Sequence, residues 1–220
     1  MRAPSRATAS WWRLSRLSST RPSRGCSDAE LILNLFFVRR DAYGLETEKG
    51  WVTVKEPVTL EVVQRHLRGE ICLGAHPVGP DGECRWMGWE ADSSTMLRPI
   101  LSAAKSMFPE KAMLVHSTGG RSFHVKVFFN RPIRAEDAYL LARKVAEGVP
   151  GVEFYPKQAK VGGGFGNFMR VPLGRHGKTG ETGALIQRKA SAKSPHVARR
   201  TGVRRSSSSS QRSARTGLRK

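Results

Sequence analysis

The chain has 220 residues, with 38 Lys and Arg against 18 Asp and Glu, and a formal charge of +20. Its longest apolar stretch, residues 31–38, is interrupted by Asn34 and is far short of the roughly 20 residues of a membrane span, so no membrane role is expected. Three cysteines (Cys26, Cys72, Cys84) with no CxxC pair argue against a zinc finger or a disulfide scaffold; their odd number fits a reducing compartment, read here as the cytoplasm.

The charge is unevenly spread. Residues 1–28 hold six Arg and one Asp, and residues 184–220 hold eleven Lys and Arg and no acid. Positions 29–183 carry 21 basic and 17 acidic residues, the balance of an ordinary globular domain. The Arg- and Ser-rich start has no secretory apolar region and reads as an unstructured extension or a mis-assigned start codon ahead of an import signal. The tail from residue 184, with its serine run at 206–210 between arginine pairs, has almost nothing apolar to bury. It is expected to be disordered and to adhere to nucleic acid without sequence preference, or else to be a read-through end.

In chain order, Ser27-Asp28-Ala29-Glu30 has capping-box spacing and opens a helix ending near Phe37. Thr59 caps a second helix over 60–68, with Gly69 at its stop. Residues 71–76 and 84–92 read as two strands joined across Gly79-Pro80-Asp81-Gly82, a hairpin signal. A helix follows over 95–107. Two more strands, 111–116 and 122–129, flank Thr118-Gly119-Gly120, and periodicity marks a helix over 135–147. Strands at 152–155 and 167–173 surround a glycine-rich loop. This order predicts an α+β domain over 29–183: an RRM-like, mainly antiparallel sheet with helices on one face and the other face free for a substrate.

Three segments can carry chemistry. In Trp86-Met87-Gly88-Trp89-Glu90-Ala91-Asp92, strand alternation puts Glu90 and Asp92 on one face, about 7 Å apart, with Trp89 and Ala91 turned into the layer behind. Such a pair can bind hard divalent metals, or can equally be a solvated strand end before a helix cap. In the segment from Ser122 to Phe129, Ser122, His124 and Lys126 alternate onto one face, a row suited to polyphosphate oxygens and also ordinary for a half-exposed strand. No GxSxG motif accompanies them, so a hydrolase triad is not indicated. The glycine loop Gly162-Gly163-Gly164-Phe165-Gly166 is no Walker motif; it is a hairpin connection or a place where a strand or triphosphate approaches the backbone, with Lys157, Arg170 and Arg175 nearby.

Taken together, Glu90-x-Asp92, Ser122-x-His124 and an acid after a hydrophobic residue at Val152-Glu153 resemble the three motifs of the archaeo-eukaryotic primase superfamily, the primase-polymerases. The nearer likeness is to the primase-like domain of prokaryotic conflict systems that join a primase to helicase and endonuclease modules. It is also carried by residues 37–43, 66–69 and 155–158, by Gly166-Asn167 leading into 170–174, and by 176–181. The resemblance implies that Glu90, Asp92 and Glu153 hold Mg²⁺ or Mn²⁺. It implies that Ser122 and His124 meet the incoming nucleotide's phosphates, with Lys126, Lys157, Arg170, Arg175 and His176 binding nucleotide or phosphate. The implied reaction is nucleotide addition from nucleoside triphosphates on a single-stranded DNA or RNA template, with a separately encoded helicase or nuclease as partner.

The chain departs from the family's usual pattern in placing Glu before Asp in the first motif. After Glu181 it is expected to leave that pattern altogether, as if a final strand were missing. Two other readings follow from these departures: a single-strand binding module without turnover, derived from a truncated primase domain, and the product of a broken reading frame.

Overall fold

The computed structural model describes residues 27–186. The disorder expected of residues 1–26 and 187–220 lies outside the described residues. Helix α1 (Asp28–Phe36) starts at the anticipated capping box: the Glu30 N–H donates to Ser27 Oγ at 3.3 Å, and the Ser27 N–H donates to Glu30 Oε2 at 2.7 Å. A hairpin follows, β1 (Tyr43–Thr47) and β2 (Gly50–Val54), then α2 (Leu60–Leu67), capped by the Thr59 hydroxyl, and the short β3 (Leu73–Ala75). The long strand β4 (Glu83–Ala91) leads into α3 (Ser94–Met107), whose first turn is held by Ser93. Strands β5 (Met113–Ser117) and β6 (Phe123–Arg134), helix α4 (Ala135–Ala146) and the short strands β7 (Glu153–Tyr155) and β8 (Met169–Arg170) complete the order.

The unit β4-α3-β5-β6-α4-β7 forms a sheet in the order β5-β6-β4-β7 with every neighbouring pair antiparallel. This is the expected RRM-like topology, a β-α-β-β-α-β pattern. Both helices cover one face, where Met87, Trp89 and Ala91 of β4 and Val125 and Val127 of β6 pack against Ile100, Ala104, Ala142 and Val145. Trp89 Nε1 donates to the Ala142 carbonyl at 2.9 Å, so the buried indole also satisfies its one polar group.

The other face is not free. A second sheet, β2-β1-β3-β8, lies over part of it, and a second core joins Trp86 and Tyr155 of the first sheet to Leu73, Ala75 and Met169 of the second and to Ile32 and Phe36 of α1. Trp86 Nε1 donates to the Phe36 carbonyl at 2.8 Å, tying α1 to the same strand. Close approach is possible because β4 carries Gly88 under β8: a Cβ there would lie 2.9 Å from Met169 Sδ and 2.8 Å from the Val125 carbonyl oxygen.

Residues 71–76 therefore differ from the sequence expectation. The Gly79–Gly82 turn forms, with the Gly79 N–H donating to the Glu83 carbonyl at 2.8 Å, and Val78 bridges Cys84. Beyond that bridge β3 turns away from β4 and pairs with β1 and β8. The chain also continues past residue 183: Ser117 N–H donates to the Ala184 carbonyl at 2.9 Å and Ile186 N–H to the Val115 carbonyl at 2.8 Å. Residues 184–186, assigned to the tail from composition, instead lie along the outer edge of β5. Among the described residues no helix is long and apolar enough to cross a membrane.

Candidate active site

Strand register builds the site. Glu90 on β4 pairs with His124 on β6 and with Glu153 on β7, and His124 pairs in turn with His116 on β5. Directly paired residues of antiparallel strands share a face, so Glu153, Glu90, His124 and His116 form one row across all four strands, on the side away from α3 and α4. Glu153 is exposed, Glu90 is partly buried, and His124 and His116 are buried. The row thus runs from solvent into the space between the two sheets.

Part of that space is an open cavity of about 440 Å³. Glu90, His124 and Tyr155 form its floor; Trp51 and Thr53 of β2, with Phe168 and Arg170, form the opposite wall. Burial raises the Glu90 carboxyl above its ordinary value, against the attraction of Lys157, Arg170 and Lys126. His124 Nε2 stands 3.6 Å from Glu90 Oε1. Burial, reinforced by the Lys126 and Arg170 charges, holds this imidazole well below its ordinary pKa. It is neutral near pH 7, and its contact with Glu90 is not an ion pair.

The other anticipated residues divide clearly. Arg170 lines the cavity, but its guanidinium is held by Glu46 through two bonds of 2.9 Å, donates to Cys72 Sγ at 2.7 Å, and lies 4.9 Å from the Trp51 ring centre. Lys157 pairs with Glu153 at 2.8 Å and sits over the Tyr155 ring. Asp92 lies one residue beyond β4, exposed, and outside the cavity lining. Ser122 closes the preceding turn, its carbonyl accepting from the Thr118 N–H and hydroxyl, both at 3.1 Å. Arg175 donates to the Gly180 carbonyl, and His176 Nδ1 accepts from the N–H groups of Lys178 and Thr179. None of these last four reaches the cavity lining.

Lys126 differs most from expectation. Its side chain is wholly buried, donating to the Arg170 carbonyl at 2.9 Å and to His116 Nε2 at 3.0 Å. Burial pushes its pKa down to about 7. His116 can accept because burial keeps it neutral and its Nδ1 lies 3.0 Å from the Ser117 carbonyl, which fixes the proton on that nitrogen. Lys126 thus joins β6 to β8 beneath the cavity. The polar alternation of β6 is real, but β8 covers this position.

The chemistry of the donor set fits a divalent cation at one end of the row. Glu90 and Glu153 are cross-strand neighbours offering hard carboxylate oxygens, and among the described residues the partly buried Glu90 has no Lys or Arg within ion-pair distance. Among the described residues no three His, Cys, Asp or Glu side chains are gathered as a ready-made metal cluster. Sequence reasoning missed Trp51, Thr53 and Phe168, which belong to β2 and to the segment before β8. Their period-2 and aromatic signals exist, but nothing local links residue 51 to residue 168.

The family described as the archaeo-eukaryotic primase domain of TOTE conflict systems matches residues 39–210. The match continues well past Glu181, so the expected departure from the family's pattern at that point is incorrect. No curated protein matches the chain. Among solved structures, the archaeo-eukaryotic primase domain of the cyanophage S-2L primase-polymerase is 17% identical, covering 71% of this chain and 86% of that one, with a TM-score of 0.49. The polymerase domain of Mycobacterium tuberculosis ligase D, in complex with DNA, is 10% identical, covering 76% and 83%, with a TM-score of 0.45.

Proposed function

The chain belongs to the archaeo-eukaryotic primase domain family of TOTE conflict systems, and we propose that it is a metal-dependent nucleotidyltransferase that adds nucleotides along a single-stranded template. The observation that carries this reading is the row Glu153-Glu90-His124, which faces a cavity open enough to receive a nucleoside triphosphate.

Glu90 and Glu153, with Asp92 at the adjoining strand end, would hold Mg²⁺ or Mn²⁺. Such ions lower the pKa of an attacking hydroxyl and offset charge on the leaving phosphate oxygens. The remaining work falls to the protein's own groups, chiefly positioning and charge neutralisation. His124, kept neutral by burial, can offer a ring N–H to a phosphate oxygen without drawing a proton from the Glu90 carboxyl. The Lys157–Glu153 pair is exposed enough to contribute little by itself. Lys157 would therefore be free to turn to a triphosphate oxygen, leaving the Glu153 carboxylate to serve as a cation ligand. Arg170, fixed by Glu46, supplies a rigid positive field on the opposite wall. The family's conflict-system setting supports a separately encoded helicase or nuclease as partner.

The test is nucleotide incorporation on a single-stranded template with Mg²⁺ or Mn²⁺, with and without primer, beside folded Glu90→Gln and Asp92→Asn variants. Incorporation by the wild type and its loss in Glu90→Gln support the reading. The position of Asp92 outside the cavity lining favours one other reading, a single-strand binding module without turnover. A folded wild type that binds the template strongly and incorporates nothing would establish that alternative.

A further inference from the structure

We propose that the wall formed by β2 and the segment 165–168 is a stacking track for single-stranded nucleic acid, with successive bases resting on Trp51 beside Phe168 and on Phe165. This deepens the nucleotidyltransferase reading and rests on it for the identity of the strand as template.

Trp51 is 36% exposed, at the cavity mouth, with its ring 5.3 Å from that of Phe168. Phe168 is seated by the backbone beneath it. Gly44 and Gly74 face each other across β1 and β3, and a Cβ on either would stand 2.5 Å from the Phe168 ring. Two paired glycines thus form a slot in which the ring lies against the sheet, leaving it part-exposed in the cavity lining beside Trp51. Beyond Phe168 come the buried His76 ring at 5.4 Å and then Phe165 at 6.1 Å from His76.

Cations lie against both ends of this aromatic series: Arg170, paired with Glu46, at one, and Arg39, paired with Asp41 at 3.1 Å, with the exposed Lys55 at the other. The Arg170 guanidinium lies 4.9 Å from the Trp51 ring, and Arg39 and Lys55 lie 4.8 and 5.7 Å from the Phe165 ring. Arg39 also donates to the Gly164 carbonyl at 3.1 Å, steadying the glycine loop that presents Phe165. Trp51 and Phe168 line the cavity and Phe165 lies beyond its lining; rings set beside cations are what a single strand needs, because every base has a stacking face and every link a negative charge. Glu90 and Glu153 on the opposite side would repel phosphates, so bases turn toward the rings while the backbone follows the basic side.

The test uses the full chain and a fluorescein-labelled oligo(dT) followed by anisotropy without divalent metal. Raised salt suppresses the contribution of the basic residues beyond 187. Trp51→Ala and Phe165→Ala are each expected to weaken binding about fivefold or more, Trp51→Phe to restore most of it, and Leu140→Ala on α4 to change nothing. Thermal melts confirm folding. In a parallel titration with Mn²⁺ and a nucleoside triphosphate alone, Trp51→Ala should cost less than it costs oligonucleotide binding. The proposal is overturned if both folded alanine variants bind the oligonucleotide like wild type. It is equally overturned if Trp51→Ala weakens the nucleotide and spares the oligonucleotide, which would assign the ring to the incoming base. Incorporation assays separate the two readings. A wild type that binds through Trp51 without incorporating leaves the track and removes the enzyme, whereas one that incorporates while Trp51→Ala binds normally does the reverse.

Discussion

Replacing Lys126 by Met keeps the length of the side chain and removes its charge together with its bonds to the Arg170 carbonyl and His116 Nε2. In the wild type the fully buried ammonium has a pKa of about 7, against 10.5 for an ordinary lysine. Between these values the unfolded chain binds more protons than the folded one, so stability rises with pH. The penalty for burying the charge is fully present below about pH 7 and is relieved on the way to 10.5. From pH 6 to pH 9 the wild type should gain about 3 kcal/mol from this group, at 1.36 kcal/mol per pH unit over the range in which it applies. The variant lacks that gain. It does lose two hydrogen bonds, worth about 2 kcal/mol together and more if the freed acceptors stay dry. The groups facing Nζ are Glu90 from β4, which favours the charged form, Arg170 from β8, which opposes it, and the two histidines. His116 and His124 are neutral in both proteins over this range, because burial is the larger cause of their depressed pKa. The variant should therefore be clearly less stable than wild type at pH 9 and close to it, or more stable, at pH 6. Urea unfolding followed by far-ultraviolet circular dichroism at intervals across this range measures the difference. Parallel stability profiles for the two proteins would refute the burial argument.

Glu90→Gln should abolish incorporation while raising the melting temperature at neutral pH. The folded pKa of Glu90 lies above its unfolded value, so the wild-type carboxylate is destabilising once ionised, and the variant's advantage should fade as pH falls below the usual carboxyl range. Gly88→Ala should cost about 1–3 kcal/mol by forcing a methyl against Met169 and the Val125 carbonyl; chemical denaturation measures this, and an unchanged midpoint would mean the sheets are not in contact there. Removing residues 188–220 takes away all eleven basic residues counted after 184. It should flatten the salt dependence of oligonucleotide binding without changing the melting temperature. Truncation at 184 should instead lower the melting temperature, because it also removes the backbone pairing of Ala184 and Ile186 with β5.

Much of what could be read from adjacent residues is correct in the structure. The capping box at Ser27, the hydroxyl cap at Thr59, the helices over 95–107 and 135–147 and the strands at 84–92, 111–116 and 122–129 are all properties of a few neighbours along the chain, whereas the hairpin of β1 and β2 escapes such a reading. Strand alternation alone put Trp89 and Ala91 behind the sheet and Glu90 and His124 in front of it. The same alternation placed Lys126 with the solvent-facing residues, and there it failed. Period 2 decides which face a side chain takes; it is silent on what covers that face. The cover is β8, which reaches β3 through Gly74 and Arg170 and meets Lys126 through a carbonyl 44 residues away. Trp51 and Phe168 meet in the same way, because Gly44 and Gly74 make room for a ring that neither sequence neighbourhood announces. The sequence determined most of the elements, the faces that the side chains of β4 and β6 take, and the family. Which of those residues remain open to a substrate, and which are sealed beneath a second sheet, was decided by contacts between distant segments, since burial depends on what packs above a strand and not on the strand itself.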